Sequence, residues 1–321
     1  MSSLLHDIEA ALQAVPYPSV PAGLYEPISY TLESGGKRLR PVLLLTAYGL
    51  YKDDLAEAMP AAIGLETYHN HTLLHDDLMD NAAVRRGRPT VHRRWDANTA
   101  ILSGDTMLIM ALQHVLQCHC RRRDDVLQLF ATTMREVCEG QQHDMNFEQR
   151  DDVTLEEYIE MIRLKTSVLP ACGLKMGALI ADAPDADADL LYAFGEKIGL
   201  AFQIQDDYLD CYGDPAVFGK AIGGDILCGK KTFLLITALK TATAEERAEL
   251  LQLLADASLA PADKIRRVTA LYDRLGVPAL AQQHIDALYA EARRLYDALP
   301  VSDGRKQPLW DFAASMLKRK K

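Results

Sequence analysis

The chain has 321 residues, 49% of them hydrophobic, and carries a formal net charge of −10. A chain of this length and apolar content can bury a large core, as one big domain or two smaller ones. The acidic excess excludes non-specific nucleic-acid binding, which needs a broad basic surface. No basic stretch followed by an apolar core opens the chain, and no uninterrupted apolar run approaches the roughly 18 residues of a membrane span, so a cytoplasmic protein without stable membrane insertion is expected. Cys118, Cys120, Cys138, Cys172, Cys211 and Cys228 lack disulfide-framework spacing and are expected to be free thiols; Cys118-His119-Cys120 has no second pair at zinc spacing.

Apolar residues recur at intervals of three and four almost throughout, as in Leu4, Leu5, Ile8, Ala11 and Leu12, and again in Leu155, Tyr158, Ile159 and Ile162. Alternating strand-like runs are absent and helix formers dominate, which predicts an all-α protein. Breaks are expected at Pro16 to Pro21, Gly35-Gly36, near Pro60, at Arg85 to Arg94, Arg121 to Asp125, Gln149 to Thr154, Ala183 to Asp189, Gly213 to Gly229, Ala260-Pro261, Pro278 and Pro300 to Pro308. They leave about ten to twelve helices. No break is both long and low in complexity, so a single domain over residues 1–321, a helical bundle around a central cavity, is expected.

The first basic piece, Gly35-Gly36-Lys37-Arg38-Leu39-Arg40-Pro41, pairs a flexible turn with three cations just before a helix, a suitable cradle for an anion. Next comes His69 to Asp80, ending in Asp76-Asp77-Leu78-Met79-Asp80. On a helix Asp76 and Asp80 lie one turn apart on one face with Asp77 close beside them. Such like charges repel, and carboxylates near Leu73, Leu74, Leu78 and Met79 call for a cation. The pattern returns 130 residues later as Asp206-Asp207-Tyr208-Leu209-Asp210. Oxygen-only ligands favour a hard ion such as Mg²⁺, which is commonly shared with substrate phosphates.

Each Asp-rich helix leads into cations: Arg85-Arg86-Gly87-Arg88 after the first, Gly219-Lys220 and Gly229-Lys230-Lys231-Thr232 after the second. Gly224 to Lys230 begins like a P-loop, but Lys231 stands where Ser or Thr should bind the metal, and no strand precedes it. Between the motifs, Lys165-Thr166 opens a helix containing Pro170; the proline should disturb the helix there and free the Thr166 carbonyl, making a small electronegative spot with the Thr166 hydroxyl. Carboxylates for metal ions, cations for a second anionic group and an apolar helical cavity together suit removal of diphosphate from an allylic carbon.

These motifs closely resemble those of the trans-polyprenyl diphosphate synthases, the family of farnesyl and geranylgeranyl diphosphate synthases. The resemblance covers nearly the whole chain, through GGKRLRP at 35–41, HDDLMD at 75–80 with RRG at 85–87, KT at 165–166, FQIQDDYLD at 202–210, GK at 219–220 and GKKT at 229–232. It implies an all-α homodimer of the isoprenoid synthase fold. Asp76, Asp77, Asp80, Asp206, Asp207 and Asp210 would hold Mg²⁺ against an allylic diphosphate that also meets Arg85, Lys165, Lys220 and Lys230. Lys37, Arg40, His69 and Arg86 match positions that hold isopentenyl diphosphate, and Thr166 and Gln203 match positions whose oxygen dipoles stabilise a carbocation. A terpene cyclase would lack the second aspartate motif of this form and the 35–41 turn, and an inactive regulatory subunit would have lost Asp or Arg from the motifs.

Product length can be set by bulky side chains below Asp76, because one helical turn rises about 5.4 Å, close to one isoprene unit. Thr72, one turn down, is small; Tyr68, two turns down, is large enough to act as a floor. The resemblance gives weight to Thr72 and His71, whereas ideal helix geometry turns His71 away from the aspartate face. A C15–C20 product is expected, leaning to geranylgeranyl diphosphate, with a farnesyl or a longer-chain synthase as the alternatives.

Overall fold

Helix boundaries follow the predicted punctuation closely. A computed structural model describes residues 2–214 and 222–317. Pro21 precedes α2 (Ala22–Leu32), which follows α1 (Ser2–Gln13); the 35–38 turn leads into α3 (Leu39–Tyr48); and Pro60 occupies the first turn of α4 (Met59–Met79). Proline fits there because the first N–H groups of a helix have no partner within it. Further along come α5 (Val91–Arg94), α6 (Ala97–Leu116), α7 (Arg123–Glu148), α8 (Leu155–Ile162), α9 (Val168–Ile180) and α10 (Asp185–Tyr212). The chain then forms α11 (Gly224–Cys228), α12 (Phe233–Thr241), α13 (Ala244–Ala255), α14 (Pro261–Arg274), α15 (Val277–Ala298) and α16 (Asp303–Leu317).

The protein is all-α, with more helices than predicted because two expected loops contain a helix and two expected helices are each divided, one by the 163–167 turn and one at Ala242-Thr243, while three expected loops contain structure. Gly213 to Gly229 includes α11, and Pro308 lies inside α16 rather than ending it. Arg85 to Arg94 forms α5 and a two-residue antiparallel pair, β1 (Val84–Arg85) with β2 (Arg88–Pro89), in register Val84 to Pro89 and Arg85 to Arg88. Arg86 and Gly87 at the tip of this hairpin both have positive φ. α8 and α13 each open with a capping box, Thr154 with Glu157 and Thr243 with Glu246, in which side chain and backbone satisfy each other's free donors.

Two compact units divide the contacts. One comprises Met1–Ala131, Cys172–Asp189 and Val301–Leu309. Within it α4 packs most extensively on α6, and Ile28, Tyr30, Leu32, Leu74, Val91, Ala100 and Met107 form a core cluster. Of the described helices, α6 is the only one long and apolar enough to cross a membrane. One side of it, including Gly104, Met107 and Ala111, is buried, while Ile101, Leu102, Ile109, Leu112 and Leu116 are exposed. The other unit comprises Thr132–Ala171, Leu190–Pro300 and Trp310–Lys321. Its core gathers Tyr158 and Ile162 of α8, Ile204 of α10, Phe233 to Ile236 of α12, and Leu271 and Tyr272 of α14.

The expected disturbance at Lys165-Thr166 is a π-turn over Arg163–Ser167, in which the Val168 N–H donates to the Arg163 carbonyl. Two glycines let neighbouring helices press against it. A Cβ at Gly140 of α7 would lie 2.3 Å from the Lys165 backbone nitrogen, and one at Gly199 of α10 would lie 2.7 Å from the Ser167 Cα. Pro170 therefore acts on a segment already shaped by close backbone contact.

Candidate active site

The first aspartate motif occupies the last turn of α4, with Asp80 at the C-cap. A helix C-terminus carries partial negative charge, so three carboxylates there add to a field that already opposes them. Their burial differs. Asp77 is 5% exposed and accepts from the Nε of Arg85 at 2.8 and 2.7 Å, one distance to each carboxylate oxygen, whereas Asp76 is half-buried and Asp80 exposed. Arg85 comes from the hairpin that follows the motif, so this pair ties the loop back onto its helix.

In the same unit the glycine turn assembles a basic cluster. Gly35 and Gly36 have φ of 74° and 142°, and Arg38 follows in the left-handed region at φ 46°. Arg38 points inward: its Nη1 donates to Glu66 at 2.9 Å, its Nε to Glu9 at 2.8 Å and its Nη2 to the Leu32 carbonyl at 2.7 Å. Arg86 donates from Nη1 to the Gly35 carbonyl and to the Ser34 hydroxyl. The φ of 142° is what calls for glycine at position 36; a Cβ there would also lie 2.9 Å from the Arg86 guanidinium, the mobile end of a flexible side chain.

Arg40 Nη1 lies 3.0 Å from His69 Nε2. Arginine can only donate, so Nε2 accepts and the His69 proton resides on Nδ1. Burial, reinforced by Arg40, Arg86, Arg85 and Arg38, holds His69 well below the usual histidine range and keeps it neutral. Burial also lowers Arg40 to about 10, leaving it charged at neutral pH. The Arg40 Nε is buried without a hydrogen-bond partner, an unmet donor of the kind an anion satisfies.

The second motif lies near the end of α10, in the other unit. Here too the middle aspartate is buried: Asp207 is 5% exposed, while Asp206 and Asp210 are half-buried. Asp207 accepts from the Tyr158 hydroxyl at 2.5 Å, from the Phe233 N–H at 3.0 Å and from Gln203 Nε2 at 3.0 Å. Burial still pushes its carboxyl up to about 6, against the lowering effect of these donors. Asp210 accepts the Asp225 N–H at 3.0 Å on its side chain and the Gly223 N–H at 2.6 Å on its carbonyl, anchoring the segment that leads to Lys230 and Lys231. Thr232 caps α12, and Lys231 pairs with Asp151 at 2.8 Å.

On the π-turn, Lys165 Nζ donates to Asp144 at 2.5 Å, and the Thr166 hydroxyl donates to Gln203 Oε1 at 3.1 Å. Thr166, Gln203 and Asp207 are thereby brought into one hydrogen-bonded group. Lys220 and the tail 318–321 lie outside the described residues.

Against this geometry, a model of the family described as polyprenyl synthetase matches residues 21–272. The chain belongs to the polyprenyl synthetase family. A relative in curated collections, the short chain isoprenyl diphosphate synthase of Methanocaldococcus jannaschii, is 44% identical over 232 residues, covering 72% of this chain and 71% of the relative. The geranylgeranyl diphosphate synthase of Methanosarcina mazei is 40% identical over 243 residues, covering 73% and 72%. A crystal structure of a geranylgeranyl pyrophosphate synthase superposes with a TM-score of 0.92 at 40% identity, covering 100% of this chain and 98% of the other.

Several residues that contact the candidate residues of this polyprenyl synthetase chain escape a reading of the sequence. Asp144 and Tyr158 are remote in sequence from the groups they hold, although Gly140 in the middle of a long polar helix is a signal that something approaches closely there. Glu66 stands out as a carboxylate in an apolar stretch, and its partner Arg38 lies within the glycine turn.

The residues expected to set chain length are also described. Tyr68 is 1% exposed and meets Phe130 edge-to-face at 5.7 Å; the Thr72 hydroxyl donates to the His69 carbonyl. His71 is buried, with Nδ1 2.9 Å from the Gly104 carbonyl on α6 and its ring 4.6 Å from that of His75. This orientation accords with the helical geometry that turns it from the aspartate face.

Burial, then the charge of His75, lowers His71 to about 4. An unfolded histidine takes up its proton near pH 6.5, so the folded chain binds fewer protons between about 6.5 and 4. The stabilisation from the neutral ring is complete above about pH 6.5 and is lost as the pH falls toward 4. Thermal unfolding midpoints from pH 7 to 4.5 should therefore fall more steeply for the wild type than for His71→Gln; parallel curves would show that His71 contributes nothing to acid sensitivity.

Proposed function

We propose that the protein is a trans-prenyltransferase that condenses isopentenyl diphosphate with an allylic diphosphate, dimethylallyl, geranyl or farnesyl, to give a C15–C20 all-trans prenyl diphosphate, chiefly geranylgeranyl diphosphate. The observation that carries this reading is the Arg40–His69–Arg86 cluster with its unmet buried donor, in a chain that also carries two aspartate motifs. A reaction joining two diphosphate esters needs both kinds of anion site. The names of the relatives support the substrate class, and the geranylgeranyl synthases among them at 40–41% identity support the product.

The carboxylates suit Mg²⁺. Their oxygens are hard donors at helix ends that repel anions, and among the described residues no three His, Cys, Asp or Glu side chains converge on one point. Asp76, Asp206 and Asp210 are half-buried and Asp80 exposed, which fits an ion taking much of its shell from water and phosphate. Asp76 and Asp80 of one unit, and Asp206 and Asp210 of the other, would hold such ions, with Asp77 committed to Arg85 and Asp207 to Tyr158, Phe233 and Gln203. When bound, Mg²⁺ neutralises charge gathering on the departing diphosphate.

Arg85, Lys165, Lys220 and Lys230 are assigned to the allylic diphosphate, and Lys37, Arg40, His69 and Arg86 to isopentenyl diphosphate. His69, neutral with its proton on Nδ1, would donate to a phosphate oxygen. Thr166 and Gln203 present oxygen dipoles to the allylic cation. The isopentenyl double bond attacks that cation, and a proton leaves to the departing diphosphate, so no side chain need serve as general base.

The test is release of inorganic pyrophosphate: it should require both substrates together. Release from an allylic diphosphate alone would point to a terpene cyclase.

The same reading takes the chain as one catalytic domain acting in the cytoplasm, in line with six free cysteines and a family match running continuously from 21 to 272. It is taken as a homodimer because α6 exposes Ile101, Leu102, Ile109, Leu112 and Leu116, and a second copy would cover them. Light scattering should give twice the chain mass for the wild type and a monomer for Ile109→Lys; a monomeric wild type would refute the dimer.

For product length, Tyr68→Ala should lengthen the product and Thr72→Phe shorten it, read by mass spectrometry. Unchanged lengths in both would place the floor on another helix.

A further inference from the structure

We infer that Asp207 is a positioning residue that sets the direction of a hydrogen-bond relay through Gln203 to Thr166, and not a metal ligand. The inference rests on the prenyltransferase reading, in which the Thr166 and Gln203 oxygens face a carbocation. An ionised carboxylate only accepts, so the Gln203 amide must turn its nitrogen toward Asp207 Oδ1, at 3.0 Å. Its oxygen then faces Thr166, whose hydroxyl must donate, at 3.1 Å. With its proton spent in this way, Thr166 presents only lone pairs, the polarity a neighbouring cation needs.

The other side of Asp207 fixes the relay in place. Oδ2 accepts from Tyr158 of α8 at 2.5 Å and from the Phe233 N–H at the start of α12 at 3.0 Å. Those donors cannot reverse, since a tyrosine hydroxyl at a buried carboxylate and a backbone N–H both give protons. The same contacts tie the Lys230-Lys231-Thr232 segment to the helix that carries Asp206. Asp207 thus sets the polarity of one catalytic pair and the position of one anion-binding segment without touching substrate itself.

The relay can be reversed by one atom. In Asp207→Asn the amide oxygen must stay with Tyr158 and Phe233, so the new NH₂ faces Gln203. Gln203 then flips, and its nitrogen turns the Thr166 proton outward, toward the cation. Asp207→Asn should lower kcat about 100-fold, comparable to loss of an oxyanion-hole donor. KM for both substrates and the Mg²⁺ concentration for half-maximal rate should stay within about twofold of wild type. Asp207→Asn/Gln203→Glu restores an acceptor on both sides of residue 203 and keeps the carboxylate count, so it should recover at least about tenfold of the lost kcat.

A readout independent of turnover is the rise in unfolding temperature on adding Mg²⁺ with inorganic pyrophosphate. It should persist in Asp207→Asn and disappear in Asp206→Asn. The proposal is overturned by unchanged kcat in Asp207→Asn, by a Mg²⁺ requirement raised tenfold or more, by loss of the pyrophosphate shift, or by no recovery in the double variant. Because the double variant has matched donors and acceptors throughout, its failure to fold would overturn the relay as well. An inactive wild type would instead remove the prenyltransferase reading, and the pyrophosphate shift would still separate the roles of Asp206 and Asp207.

Discussion

Asp76→Ala or Asp206→Ala should cut turnover by about a thousandfold or more while leaving the unfolding temperature unchanged or slightly higher. Stabilising charge on a leaving diphosphate is worth several kcal/mol, and each 1.36 kcal/mol is about tenfold in rate. Stability should move little, because a half-buried carboxylate near a helix C-terminus faces the negative end of the dipole and a like charge one turn away, which offsets the contacts it makes. Relieving both is worth a few tenths to about 1 kcal/mol. The middle aspartates should behave oppositely. Asp207→Ala leaves the Tyr158 hydroxyl and Phe233 N–H buried without their acceptor, at a cost of about 1–3 kcal/mol each. Thermal unfolding and steady-state kinetics on the four alanine variants, Asp76, Asp77, Asp206 and Asp207, would test this division; near-wild-type turnover in Asp76→Ala or Asp206→Ala would end the metal assignment.

The largest loss of stability is expected from Arg38→Met. Arg38 and Glu66 have side-chain exposures of 1% and 2%, and Arg38 also holds Glu9 and the Leu32 carbonyl. Removing one partner of a buried pair strands the other charge and costs about 3–5 kcal/mol. In a protein of this size that should lower the unfolding midpoint by about 4–7 °C. Replacing the pair by apolar side chains is far less costly, so Arg38→Met/Glu66→Leu should regain much of the loss. Activity should separate from stability here. The 35–37 turn loses its anchor in both variants, so KM for isopentenyl diphosphate should stay raised even where the midpoint recovers. A double variant no more stable than the single would show that Glu66 is not the source of the effect.

Much of the fold was legible because helices announce their ends through prolines, glycines and capping residues. Pro21, Pro60, Pro261 and Pro278 all fall at or just before a helix start. The hairpin around Arg86-Gly87 was not legible, because a two-residue ladder has no room for a periodic pattern. The aspartate motifs could be found from spacing alone, but not the different surroundings of their members. Spacing places Asp77 beside Asp76; only the tertiary structure brings Arg85 to one, and only long-range contacts bring Tyr158 and Phe233 to Asp207. Lys165 looked like a ligand for an anion, and the structure adds Asp144 beside it, 21 residues away. Pro170 gave reason to expect an irregular helix at Thr166. The close approaches at Gly140 and Gly199 that accompany the π-turn depend on which helices become neighbours, which a single sequence does not state.

The central claim is prenyl transfer, and it is tested most directly by incubating the purified protein with Mg²⁺, radiolabelled isopentenyl diphosphate and, in turn, dimethylallyl, geranyl and farnesyl diphosphate. Label should pass into a longer all-trans prenyl diphosphate with each primer, ending mainly at C20. Absence of any longer prenyl diphosphate from all three primers would contradict the account.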